Sequence, residues 1–342
     1  MKPDWKNFLV ERGAEFDADT LTHFGNPERE RRIPPQGAIL CDLSHIGMIS
    51  AHGNDAEAFL QGQLSNDLEL VTDTQAQLSS YSSPKGRAIT TLQLAMHKDT
   101  YYLSLSNDIL EPILKRLRMF VMRSQVSLEN ATDNLVHFGY SDPQGEERLE
   151  AVIGTIPMKT MDSVQSGGLT IIRQAAPVPR FEIFGELDDA RNLWTKLGVH
   201  AAGVGHGAWD YYDVEAGIPH VTADSTEAWV PQMMNLHLTD SISFSKGCFP
   251  GQEVVARLKY LGKNKRQTYR LGINSVELPA VGTVVNNSGG AEAGKVLNAA
   301  LNPDGKVEVL AVMKTAEVNS ELTVNGQAAQ LLELPYAMEA NG

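Results

Sequence analysis

The stretch Ser245-Lys-Gly-Cys-Phe-Pro-Gly-Gln-Glu-Val-Val-Ala-Arg257 leaves this chain the least conformational freedom. Gly247 and Gly251 permit backbone angles or close ligand approaches that side chains forbid. Pro250 suits the first turn of a helix. Gln252 and Glu253 fall in that turn, and Val254, Val255 and Leu258 continue an apolar face. Cys248 then stands just ahead of a helix N-terminus, where the dipole and unpaired amides favour negative charge. Lys246 lies two residues away. This setting favours the thiolate, the form in which cysteine is a nucleophile. The competing reading is an inert buried thiol. Cys41 follows an apolar Ala-Ile-Leu run and reads as core. No CxxC or Cys/His spacing accompanies either cysteine, so no metal site is expected.

The same region is basic. Lys246, Arg257, Lys259, Lys263, Lys265, Arg266 and Arg270 face only Glu253, in a chain whose net charge is −13. Such clustering suits an anion-receiving surface for a polyglutamate tail, a phosphate or RNA; the bland alternative is a solvated helix face and linker. Elsewhere the acidic balance repels nucleic acid and anionic membrane. No segment approaches the ~18 apolar residues of a membrane span. Residues 1–16 lack the apolar run of a secretory signal and are too acidic for a mitochondrial transit peptide. With two cysteines in 342 residues, a reducing, cytoplasmic setting is expected.

The chain is long enough for two or three domains. Residues 1–36 read as a lead-in ending in a charged, proline-bounded linker, with structure beginning near Ala38. A strand from Ile39 to Ser50 precedes a helix to about Leu64, and residues 75–106 read as β structure with a turn at Pro84-Lys-Gly86. The helix that follows, to about Met122, carries Ile109, Ile113, Leu117 and Phe120 inward and Lys115, Arg116 and Arg118 outward. Short strands near residues 126–128, 135–139, 169–172 and 180–184 lead to an amphipathic helix over Leu187–Leu197, ended by Gly198. Another helix follows Ala208, broken by Gly217 and Pro219. From Thr268 to Leu334, β-branched runs between Asn/Gly-rich turns predict a small antiparallel barrel or sandwich. The class is α+β.

Lys246-Gly-Cys-Phe-Pro-Gly-Gln-Glu253 resembles the K-G-C-[FY]-x-G-Q-E signature of YgfZ-type folate-binding proteins. The likeness extends to Val230–Leu236, Ile242–Phe244, Asn264–Arg266, Asp213–Pro219, Phe59–Gln63, Lys85-Gly86 and Leu332–Tyr336. It covers roughly Ala38 to Tyr336. The resemblance implies three domains in a ring around a central channel that holds tetrahydrofolate, as in the glycine-cleavage T-protein. In this chain they would be residues 37–124 with 205–262, an inserted α+β domain at 125–204, and a C-terminal barrel at 263–338. It also implies a link to iron–sulfur protein maintenance and, through that, to tRNA modification.

Residue by residue, the resemblance points to Glu215 as the reader of the pterin, since a carboxylate accepts two hydrogen bonds from adjacent N–H groups. Trp209 would be a channel aromatic or a core residue, and Arg257 a partner for a folate carboxylate or an exposed charge; Gly247 and Gln252 join the cofactor-binding set. His45 and His220 are further candidates for the channel wall. Cys248 and Lys246 carry the chemistry. The T-protein uses an aspartate just after a glycine-turn hairpin, and aligned on Gly86 this chain offers Thr90 and Thr91. A hydroxyl cannot serve as a carboxylate does, so ordinary aminomethyl transfer is not expected. The implied function is a tetrahydrofolate-binding accessory factor for iron–sulfur client proteins. The alternatives are a folate-dependent aminomethyltransferase or demethylase, and direct tRNA binding through residues 259–270.

Overall fold

The α-helices are α1 (Pro3–Val10), α2 (Pro27–Arg31), α3 (Ala56–Gln61), α4 (Leu110–Val121), α5 (Gly145–Ile153), α6 (Leu187–Leu197), α7 (Gly207–Ala216) and α8 (Gln252–Tyr260). They are seen in a computed structural model that describes residues 1–262 and 264–338; Lys263 lies outside the described residues. The chain divides into two compact units, each assembled from separated stretches. No helix among the described residues is long and apolar enough to cross a membrane.

The first unit comprises Met1–Ala56, Leu70–Gln77 and Gln93–Trp209. Its six-stranded sheet runs in the order Ser163–Ser166, Leu169–Gln174, Arg180–Gly185, Val136–Ser141, Ile39–Asp42, Ala202–Val204. Only the last pair is parallel. Residues of α1, α5 and α6 share one core with this sheet. In α6 that follows from spacing: Ala190, Leu193, Trp194 and Leu197 fall on one stripe and are all buried. Further pairing joins Ile46–His52 to Thr100–Ser106 on one side and Ser127–Asn130 on the other.

Residues 1–36 are not a lead-in. Trp5, Phe8 and Leu9 of α1 are buried. The Trp5 ring meets Phe8 at 5.1 Å, Trp194 at 5.4 Å and Phe138 at 6.0 Å, and its Nε1 donates to the buried Asp42 carboxylate at 2.7 Å. The supposed linker holds α2, capped by Asn26, whose side chain accepts from the Arg29 amide. Buried Glu30 accepts from the amides of Phe24, Asn26 and Gly205. Trp5→Ala is therefore expected to destabilise the protein by about 3–5 kcal/mol, the usual cost of emptying a large aromatic site, read as a lowered urea midpoint.

The second unit comprises Glu57–Glu69, Leu78–Leu92 and the chain from Asp210 onward. It contains the expected barrel, closed and antiparallel, in the order Arg266–Ile273, Val307–Lys314, Glu292–Leu301, Val284–Asn286, Leu322–Val324, Gln327–Leu332 and back to the first strand. The turn Asn325-Gly326 has φ of 49° and 78°, as a tight hairpin requires. The α+β class and the C-terminal barrel thus follow the sequence reading.

Candidate functional site

In the second unit, the motif loop is built on a contact between two glycines. Gly251 caps α8 at φ 81°, and a Cβ there would lie 2.5 Å from the Ser83 carbonyl and 2.7 Å from the Gly86 Cα. Gly86, at φ 71°, would in turn press a Cβ to 2.5 Å from Val254 Cβ. The hairpin tip around Gly86 and the start of α8 therefore meet where no side chain fits. Gly247 differs: a Cβ there would meet no atom within 4 Å.

Lys246 secures the other end of the loop. Its side chain is buried, and Nζ donates to the carbonyls of Gln61 at 2.6 Å, Leu64 at 2.7 Å and Asn66 at 3.0 Å. Burial draws its pKa down to about 8, opposed by the charge of Asp67. Where the sequence reading sets Lys246 beside the thiol as a charge, the structure directs its ammonium to these three carbonyls. Phe249 is buried as well, and Cys248, between these two anchored residues, is exposed. Cys41 is core, as expected. On α8, Val255 is buried, Gln252 is half-buried, and Arg257 and Lys259 are exposed. The basic stretch is a smaller surface than its composition suggests, because Lys246 is buried and Arg270 is held by carboxylates.

Glu215 sits in a fixed electrostatic array. Its Oε1 accepts from the Tyr211 hydroxyl at 3.1 Å, one helical turn back, and lies 3.6 Å from Arg270 Nη2. Arg270 also grips Glu308 through Nε at 2.7 Å and Nη2 at 2.5 Å. Burial, followed by the charge of Glu215, pushes the Tyr211 hydroxyl well above its ordinary pKa, so it donates and does not ionise. His220 Nε2 lies 2.9 Å from Asp213, while Asn298 clamps the His220 main chain on both sides. The Val221 amide donates to Thr91 Oγ1 at 3.0 Å, and Thr90 Oγ1 donates to the Thr91 carbonyl at 2.8 Å. Both threonines are buried and serve the main chain. Neither position holds a carboxylate.

Sequence reasoning missed the Arg270–Glu308 pair. The barrel register makes them diagonal neighbours, Arg270 opposite Leu310 and Gly272 opposite Glu308. Trp209 belongs to the core of the first unit. It is 2% exposed, Arg180 stacks on it at 4.3 Å, and a Cβ on Gly139 would lie 2.2 Å from its ring. In that unit His45 lies against His206, with ring centroids 5.1 Å apart.

Residues 8–243 match the family described as the GCVT N-terminal domain. The tRNA-modifying protein YgfZ of Yersinia enterocolitica is 31% identical over 306 residues, covering 87% of this chain and 92% of that protein. The tRNA-modifying protein YgfZ of Escherichia coli O157:H7 is 31% identical over 319 residues, covering 92% and 97%. Among solved structures, the glycine cleavage system aminomethyltransferase T of Bartonella henselae superposes with a TM-score of 0.73 over 98% of this chain and 97% of that one, at 18% identity. That likeness shows the fold. The chain belongs to the GCVT-domain family and, within it, to the YgfZ proteins.

Proposed function

We propose that this protein binds tetrahydrofolate and acts as an accessory factor in tRNA modification, through the assembly or repair of iron–sulfur proteins, with Cys248 as the thiol that meets the client. The observation that carries the folate part is the Glu215 array. A carboxylate placed beside Arg270 and oriented by Tyr211 is chemically suited to the paired N–H groups of a pterin. When bound, tetrahydrofolate supplies a carrier for a one-carbon unit. Glu215 would orient the pterin, while Arg257, Gln252 and Gly247 are the motif-side candidates for the rest of the cofactor. Trp209 serves packing in this reading. The tRNA part is supported by the names of the relatives.

The alternative, an aminomethyltransferase or demethylase, needs an acid that Thr90 and Thr91 do not supply. Calorimetry on the full chain tests the folate reading. Wild type is expected to bind tetrahydrofolate, and Glu215→Gln to bind about 10–100-fold more weakly, the cost of losing a charge-assisted hydrogen bond. A wild-type protein that gives no binding heat, or a Glu215→Gln variant of equal affinity, refutes it.

A further inference from the structure

The end of α4 is a surface that neither the fold nor the proposed folate site uses. Its inner stripe, Leu110, Ile113, Leu114 and Leu117, is buried. The last turn is different. Met119 is 63% exposed, Phe120 47% and Met122 89%. The sequence pattern places Phe120 on the inner face, but the helix ends at Val121 and Phe120 is left facing solvent. Met122 leaves the helix at φ 44°, a conformation seldom taken without glycine.

Cations surround these apolar groups. Lys115 precedes Met119 by one helical turn, on the same side, and Arg123 follows. Arg118 is tied down, donating to the Leu128 carbonyl at 2.9 and 2.6 Å. Residues 113–128 contain four cations and no acid, in a chain of net charge −13.

The geometry points to a docking surface for a partner protein that presents a short amphipathic segment, apolar along one side and flanked by Asp and Glu. Flexible methionines and an aromatic ring suit the apolar side. The cationic rim selects acidic flanks and speeds encounter. RNA would engage the cations but leave Met119 and Met122 without apolar partners. An anionic bilayer would have to lie along a broad face of the acidic chain, whereas a short segment meets only the local cations. The inference does not depend on folate binding.

A synthetic amphipathic helix of Leu and Glu is the probe, titrated against the full chain beside its Leu/Lys twin, a tRNA, and phosphatidylglycerol vesicles. Two double variants are compared with wild type: Phe120→Ser with Met122→Ser, and Lys115→Glu with Arg123→Glu. All four side chains are exposed, so melting temperatures should hold. Wild type is expected to bind the Leu/Glu helix, both variants at least about tenfold more weakly, with affinity falling as salt rises. No binding of that helix to wild type overturns the proposal. So does equal binding by the variants, or a variant-sensitive preference for the Leu/Lys helix, RNA or vesicles.

Discussion

Cys248→Ala is expected to fold, to bind tetrahydrofolate with unchanged affinity, and to fail to restore tRNA modification in Escherichia coli lacking its own YgfZ. The Cys248 side chain is exposed, so losing its sulfur removes little packing, and the stability change should stay within about 0.5 kcal/mol. The loop is held by Lys246 and Phe249 on either side, both buried, so its backbone course does not depend on the thiol. A sulfur that contributes nothing to the fold yet is held at a fixed place in solvent can matter only through what it touches. Modified-nucleoside levels measured by mass spectrometry check the result. Full restoration by the alanine variant would remove the cysteine from the function.

Lys246→Met should have the opposite profile, with a structural cost. Methionine keeps most of the stem but leaves the carbonyls of Gln61, Leu64 and Asn66 without their shared donor. Leaving buried acceptors without a donor typically costs about 1–3 kcal/mol, which urea denaturation will resolve. The gap should also depend on pH. Burial holds the folded-state pKa of Lys246 near 8, below that of an unfolded lysine. Above that value the unfolded chain binds the proton and the folded protein does not, so the Lys246 contribution to stability rises with pH until the unfolded lysine also titrates. Wild type should therefore pull further ahead of Lys246→Met between pH 8 and about 10. A gap that is flat or shrinks across that interval contradicts this account.

How much the sequence discloses depends on whether a residue's partners are near in sequence. The helix α6 is legible because its apolar stripe and its terminating Gly198 are all local. The barrel is legible because Asn302-Pro-Asp-Gly305 and Asn325-Gly326 mark its turns directly. The helix α1 is not, because Trp5, Phe8 and Leu9 make barely one apolar turn among charges, and the Trp5 acceptor, Asp42, is 37 residues away. The motif around Cys248 is conspicuous as a string, and its glycines announce a tight contact, but the other half of that contact is Gly86. The destination of Lys246 is hidden for a deeper reason. Its acceptors are main-chain carbonyls, which every residue possesses, so no residue type near Gln61 signals their role. For Glu215, the resemblance identifies the carboxylate, whereas the cation beside it comes from a strand whose register only the closed barrel reveals.

The interleaving of the two units bears on synthesis. All of the first unit has been translated once Trp209 is made, and it can complete its core early. Residues 57–69 and 78–92 cannot: their companions begin at Asp210 and include the last barrel strand, Gln327–Leu332. The unit that holds the buried Leu60, Leu64 and Leu92 is complete only after more than a hundred further codons. Nascent chains of this protein should lean on holding chaperones until translation is nearly finished.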